Sequence, residues 1–155
     1  MLLLVFLTGC EKIEKVKPQI YSDADFTLSY NEMQINGDIS IQSENNIRLS
    51  VDSPDSLNGF TADFKNGKLT ANYKGISVSY DKQDLPDNAF FKLIFYSLKK
   101  ISKAEDIRFN KSDDEYIVSE NTEFGEVIIT LDEEHFIKSL KIPTQGFYLE
   151  LTKVS

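Results

Sequence analysis

Apolar and polar residues alternate with a period of two along most of this chain, and this pattern restricts its possible folds more than any other feature. The alternation begins at Phe26 and continues almost to the C-terminus with one interruption. It indicates β-strands that bury one face and expose the other. The predicted strand positions are 26–30, 39–41, 47–51, 60–64, 69–73, 76–80, 107–109, 116–119, 127–131, 136–142 and 147–151.

Short polar segments separate these strands. Asn36-Gly37 and Asn66-Gly67 are dipeptides that readily adopt the positive φ values of tight hairpins, and Lys74-Gly75 is also typical of a turn. Because such links leave no room for a crossover, neighbouring strands are expected to run antiparallel.

The interruption is an amphipathic segment in the middle of the chain. Asp84-Leu85-Pro86-Asp87 offers capping residues and a proline that a first helical turn tolerates. Apolar residues then recur at spacings of three and four, which predicts a helix of about four turns with one apolar face. These residues are Phe91, Ile94, Phe95, Leu98 and Ile101, with Phe90 beside them.

We therefore predict a mainly β (α+β) fold, in which about ten antiparallel strands form a curved sheet or half-barrel and the helix packs in its concave face. The 155 residues are enough for one domain with a substantial core. A single cysteine cannot form an internal disulfide.

That cysteine, Cys10, follows an apolar run and the residues Leu7, Thr8 and Gly9. This arrangement resembles the lipobox of bacterial lipoproteins. The resemblance implies that residues 1–9 are a cleaved signal peptide and that Cys10 carries a covalent diacylglycerol, with no other cofactor. Residues 10–25 would then be the lipidated N-terminus and a tether, with a short helix before Pro18 as the alternative, and residues 26–155 the folded domain. The implied location is the extracytoplasmic face of the bacterial cell membrane.

The chain is acidic, with 25 Asp and Glu against 17 Lys and Arg and a formal charge of −8. Nucleic acid is an unfavourable partner for such a surface, because phosphate binding needs clustered cations. An electrostatic hold on anionic lipid is unfavourable for the same reason, so membrane residence would depend on the acyl chains.

Residues capable of catalysis or metal binding are present but not grouped in a recognisable motif. His135 follows Asp132-Glu133-Glu134, yet no second histidine exists to complete a zinc site, and these residues fall at a predicted turn. Asp113-Asp114-Glu115 lacks the spacing of a calcium loop. No catalytic or metal site is predicted, so we expect a protein that is not an enzyme, although spacing alone leaves paired carboxylates open.

The order of anchor, meander, helix and second meander resembles the LolA/LolB superfamily of lipoprotein-handling half-barrels. The stretch from Ser53 to Phe60, Tyr73-Lys74-Gly75-Ile76 and Asp84-Leu85-Pro86 are similar to small LolA-like lipoproteins of Gram-positive spore formers, including germination lipoproteins. Leu131-Asp132 followed by residues 136–142 resembles the late hairpin of the superfamily.

The resemblance implies two functions. One is an accessory module that binds an envelope protein, such as an amidase-like enzyme that modifies the cell wall or the spore cortex during sporulation or germination. The other is a carrier that shelters an acyl chain or another apolar ligand. The second needs a cavity lined by Phe90, Phe91, Ile94, Phe95 and Leu98. The alternative is that the same residues fill the core, which is the more common role of an apolar helix stripe.

Overall fold

A computed structural model describes residues 12–43, 45–86, 89–103 and 107–154. Within these ranges twelve strands form one sheet and one α-helix packs against it. The strands are β1 (Lys12–Val16), β2 (Asp23–Tyr30), β3 (Met33–Ser43), β4 (Asn46–Ser53), β5 (Thr61–Lys65), β6 (Lys68–Tyr73), β7 (Ile76–Asp81), β8 (Ile107–Ser112), β9 (Glu115–Thr122), β10 (Gly125–Leu131), β11 (Ile137–Ile142) and β12 (Phe147–Lys153).

The sheet is antiparallel, curved and open. Its strand order is β1-β8-β9-β10-β11-β12-β2-β3-β4-β5-β6-β7, so that β1 and β7 are the two edges. The two meanders meet where β12 pairs with β2, which places Leu149 opposite Leu28. The predicted mainly β fold with one helix is confirmed, with twelve strands in place of about ten.

The N-terminal segment differs from the predicted tether. β1 pairs with β8, with Val16 opposite Ile107, and Val16 is only 6% exposed. Further along, the backbone N–H of Gln19 donates to the carbonyl of His135 at 2.8 Å, and Gln19 accepts from Ile137 at 3.0 Å. Lys12–Val16 is therefore a strand of the sheet and Gln19 is bonded to it by an isolated bridge, because burial of Val16 and these backbone bonds outweigh the charged character of the segment.

Asn36-Gly37 is not the predicted hairpin turn. The β2–β3 turn lies at Asn31-Glu32, where φ is 46° and 70°. Gly37 instead lies inside β3 at a bulge, opposite Val51. A Cβ at this position would lie 1.9 Å from the carbonyl oxygen of Ser50, so glycine is needed for close backbone approach. The turns predicted at Asn66-Gly67 and Lys74-Gly75 are confirmed, with positive φ at all four residues.

The helix α1 spans Phe90–Lys103, as its apolar spacing predicts. It begins later than the Asp84-Leu85-Pro86 signal indicates, and its first turn contains no acidic residue. Lys82–Asp84 forms a short 3-10 helix instead. Asp84 thus lies in this short helix after β7, and α1 begins at Phe90, where the apolar pattern begins.

Candidate binding surfaces

The apolar face of α1 is packed against the sheet. Phe91, Ile94, Phe95 and Leu98 are all buried. The ring of Phe95 stacks on Phe64 of β5 with centroids 3.9 Å apart. Phe90, at the start of the helix, is half-buried, with its ring 6.3 Å from Tyr30 and 4.1 Å from Phe91.

The space left between this helix face and β3–β6 is very small. A cavity of about 10 Å³ remains, bounded by nine residues that include Phe91, Ile94 and Phe95. This volume is enough for about one water molecule, which is far below what an acyl chain occupies. In this conformation, three of the five residues predicted to line an apolar cavity therefore border a filled core.

The side of α1 next to this apolar stripe is also covered. Leu93, Ser97 and Ile101 are buried, and Tyr96 meets Phe124 edge to face with centroids 4.8 Å apart. Lys100 forms an ion pair with Glu120 of β9. The helix thus contacts both halves of the sheet. The predicted apolar face of α1 did not include Leu93 or Ser97. Leu93 could have been included, because it is apolar and directly precedes Ile94.

Apolar side chains that are paired from strand to strand continue from the core to the β7 edge, where they become exposed. One row runs Ile41, Ile47, Phe64, Leu69 and Tyr80 across five neighbouring strands. Leu69 is 3% exposed, whereas Tyr80 is 48% exposed. On the same face of β7, Ile76 and Val78 are 68% and 43% exposed. We call Ile76, Val78 and Tyr80 the β7 apolar row.

Two lysines lie just before and just after β7 in the sequence, and their ammonium groups lie over aromatic rings of β6 and β5. The Lys74 ammonium lies 4.9 Å from the ring centroid of Tyr73, which is paired with Ile76. At the other end, the Lys82 ammonium lies 5.8 Å from the ring centroid of Phe64. Isolated exposed apolar residues are ordinary on protein surfaces, but an apolar row along a sheet edge is typical of an interaction site.

The acidic turn around His135 serves a structural role. Asp132 Oδ1 accepts the backbone N–H groups of Glu134 and Phe136 at 3.0 and 2.9 Å, and its Oδ2 accepts the Tyr21 hydroxyl at 2.6 Å. The ring of Tyr21 stacks on Phe136 at 4.4 Å. Burial, followed by the hydrogen bond to Asp132, raises the pKa of Tyr21 to about 12.

An open depression of about 590 Å³ lies beside this turn. It is lined by acidic residues together with Lys138 and Lys153, and Lys138 donates to Glu115 at 2.5 Å. That hydrogen bond and the charge of Glu115 raise the pKa of Lys138. Within the described ranges, no group of three or more His, Cys, Asp and Glu side chains is arranged to hold a metal ion.

The lipobox residues Leu7, Thr8, Gly9 and Cys10 lie outside the residues that the structure describes. In the described part of the chain, no helix combines the length and the apolar character needed to cross a bilayer.

Comparison of the sequence with protein-family models and with curated proteins gave no match.

Proposed function

We propose that this chain is a lipoprotein held on the extracytoplasmic face of the membrane through Cys10, and that it is a non-enzymatic binding module for a protein of the cell envelope. In this proposal the open sheet is a LolA/LolB-like half-barrel whose interior is occupied by α1. The partner class that the resemblance implies is a cell-wall or spore-cortex enzyme of the amidase type.

One observation carries the proposal of a binding module. Phe91, Ile94 and Phe95 on the apolar face of α1 are buried and border a cavity of only about 10 Å³, whereas the β7 apolar row is exposed. A carrier needs a cavity that encloses most of its ligand. An accessory module needs an exposed surface with an apolar centre, which the β7 apolar row provides.

Native mass spectrometry of the chain from residue 11 onward, followed by lipid extraction, distinguishes the module from the alternative carrier. We expect the mass of the polypeptide alone. A co-purified lipid at a ratio near one to one would overturn the module and support a carrier, in which α1 moves away from the sheet.

The anchor is tested separately by Cys10→Ala. We expect the variant to leave the membrane fraction while its circular dichroism spectrum and thermal midpoint stay unchanged, because thioether attachment requires the thiol and residue 10 precedes β1. Ser22→Ala is a matched control that should remain in the membrane fraction. Membrane retention of Cys10→Ala would contradict the lipoprotein proposal.

A further inference from the structure

We infer that the outer edge of β7 binds an extended segment of a different protein as an added strand, and that this segment alternates apolar residues and carries carboxylates near both of its ends. The inference rests on the proposed binding function and specifies the partner chemistry. Three features of the β6–β7 hairpin support it: its backbone, its side chains and its charge.

The backbone of β7 has hydrogen-bonding groups that point away from β6. Lys82 donates its N–H to the carbonyl of Gly67 at 2.8 Å, and the Lys74-Gly75 turn closes the hairpin at the Tyr73–Ile76 pair. Hydrogen-bonded and non-hydrogen-bonded pairs alternate along an antiparallel ladder. The N–H and C=O groups of Ser77 and Ser79 therefore face outward, and among the described residues no strand lies beside them.

The two edges of the sheet differ in how they are protected. The β1 edge has the sequence Lys-Ile-Glu-Lys-Val, and charged residues of this kind discourage further strand pairing. β7 has the sequence Ile-Ser-Val-Ser-Tyr-Asp, in which no lysine or proline interrupts the strand, and all six residues are exposed. An added strand would extend the core rows by one position, and its alternate side chains would pack beside the β7 apolar row.

The charge around β7 selects the partner. The β6–β7 hairpin together with Lys82 (residues 68–82) has three lysines (68, 74 and 82) and one aspartate (81), so it carries 3 − 1 = +2 in a chain of −8. Asp81 is paired with Lys68 across the hairpin, on the face opposite to the apolar row. Lys74 and Lys82 flank the row itself, which favours a strand with a carboxylate near each end.

A second copy of this chain fits the edge less well. Antiparallel pairing of two β7 strands about Val78 would place Lys74 of one copy opposite Lys82 of the other, and both molecules carry −8. Like charges directly opposite each other in a sheet are destabilising. The favoured occupant is therefore a different protein with acidic residues around its strand.

The test is a display selection in which random peptides of about 12 residues, long enough to form a strand of this size, are enriched on the full chain in detergent. We expect enriched peptides to alternate apolar residues and to contain Asp or Glu near both ends. Failure to enrich any sequence, or enrichment of peptides without this pattern, would overturn the inference.

Ser79→Pro and Ser79→Ala separate backbone pairing from simple apolar contact. Both remove the side-chain bond between Ser79 and Thr70, but only proline removes the outward N–H. We expect Ser79→Ala to bind the enriched peptides like the parent, and Ser79→Pro to bind roughly tenfold more weakly, the effect of about one hydrogen bond. Equal binding by the proline variant would contradict strand addition.

Hydrogen exchange on the unmodified chain gives a second test that does not depend on the folding of a variant. Addition of an enriched peptide should slow amide exchange at Ser77 and Ser79, whereas Val78 is already bonded to β6. Unchanged exchange at both serines would overturn the inference.

The charge of the partner is tested by the double variant Lys74→Gln, Lys82→Gln. It should bind the acidic peptides roughly fivefold more weakly at low salt and show less dependence on salt. Unchanged affinity would contradict an acidic partner.

Sedimentation of the full chain tests whether a second copy of this chain occupies the edge. A dimer that Ser79→Pro dissociates would overturn the inference in favour of self-pairing. None of these binding tests depends on Cys10, so the proposed membrane anchor can be disproved without affecting the inference about β7.

Discussion

Ser97 is a residue whose effect on stability has a clear physical cause. It lies between Leu93 and Ile101 on the inner side of α1 and is 1% exposed. Its hydroxyl has no hydrogen-bond partner among the described residues. A buried hydroxyl without a partner loses its hydration and gains nothing in return.

Ser97→Ala is therefore expected to raise the free energy of unfolding by roughly 1 kcal/mol, through removal of the buried hydroxyl and a better helix propensity. Urea denaturation measures the change as a higher midpoint with an unchanged slope. Ser77→Ala, at an exposed position, is the control and should be close to neutral. A lower midpoint for Ser97→Ala would mean that the hydroxyl has a partner, such as a buried water.

At the scale of elements, the connection between β1 and β2 is held to the turn before β11 by Tyr21. The Tyr21 hydroxyl donates to Asp132 at 2.6 Å, and its ring stacks on Phe136. Tyr21→Phe keeps the stacked ring and removes the hydrogen bond. We expect a loss of about 1 kcal/mol at pH 8, measured by urea denaturation.

The same variant predicts a dependence on pH. Because the pKa of Tyr21 is raised to about 12 in the folded protein from 10.0, folding favours the neutral phenol. The stabilisation is complete below pH 10 and is lost as pH rises toward 12. The difference between the parent and Tyr21→Phe should therefore narrow above pH 10. A constant difference would contradict the raised pKa.

The helix provides the second prediction at this scale. Phe95 is buried and stacked on Phe64, so Phe95→Ala should lower the free energy of unfolding by about 3–5 kcal/mol. Phe95→Asp should lower it further, since it buries an unpaired charge. Phe95→Leu is the conservative control. A marginal effect of the aspartate, measured by the same denaturation, would indicate an open space under α1.

For the whole molecule, the order of the strands makes the N-terminal segment part of the sheet. β1 pairs with β8, although the two strands are far apart in sequence. Deletion of residues 1–16 should lower the free energy of unfolding by roughly 2 kcal/mol, since it removes a strand and the burial of Val16. Deletion of residues 1–11 is the matched reference, so that the difference between the two truncations isolates the contribution of residues 12–16. Equal stability of the two truncations would contradict a stabilising role for β1 and would favour the predicted tether.

The elements that could be predicted from the sequence are those with strong local signals. The apolar spacing from Phe91 to Ile101 identified α1, and Asn66-Gly67 identified a hairpin, because helix period and turn geometry depend on neighbouring residues. β1 was missed because it buries one side chain, Val16, between charged residues. Asn36-Gly37 was misassigned because glycine is needed there for contact with another strand, which no local pattern reveals.

The same distinction applies to the candidate surface. Alternation in β7 predicted that Ile76, Val78 and Tyr80 share one face of the sheet, and this is a local property of any strand. Their exposure depends on β7 being the last strand and on α1 covering the neighbouring strands instead. Both are long-range properties of the strand order. The sequence by itself determined the strands, the helix and its apolar face, whereas only the tertiary structure decided that this face is filled and that the apolar row at the edge is uncovered.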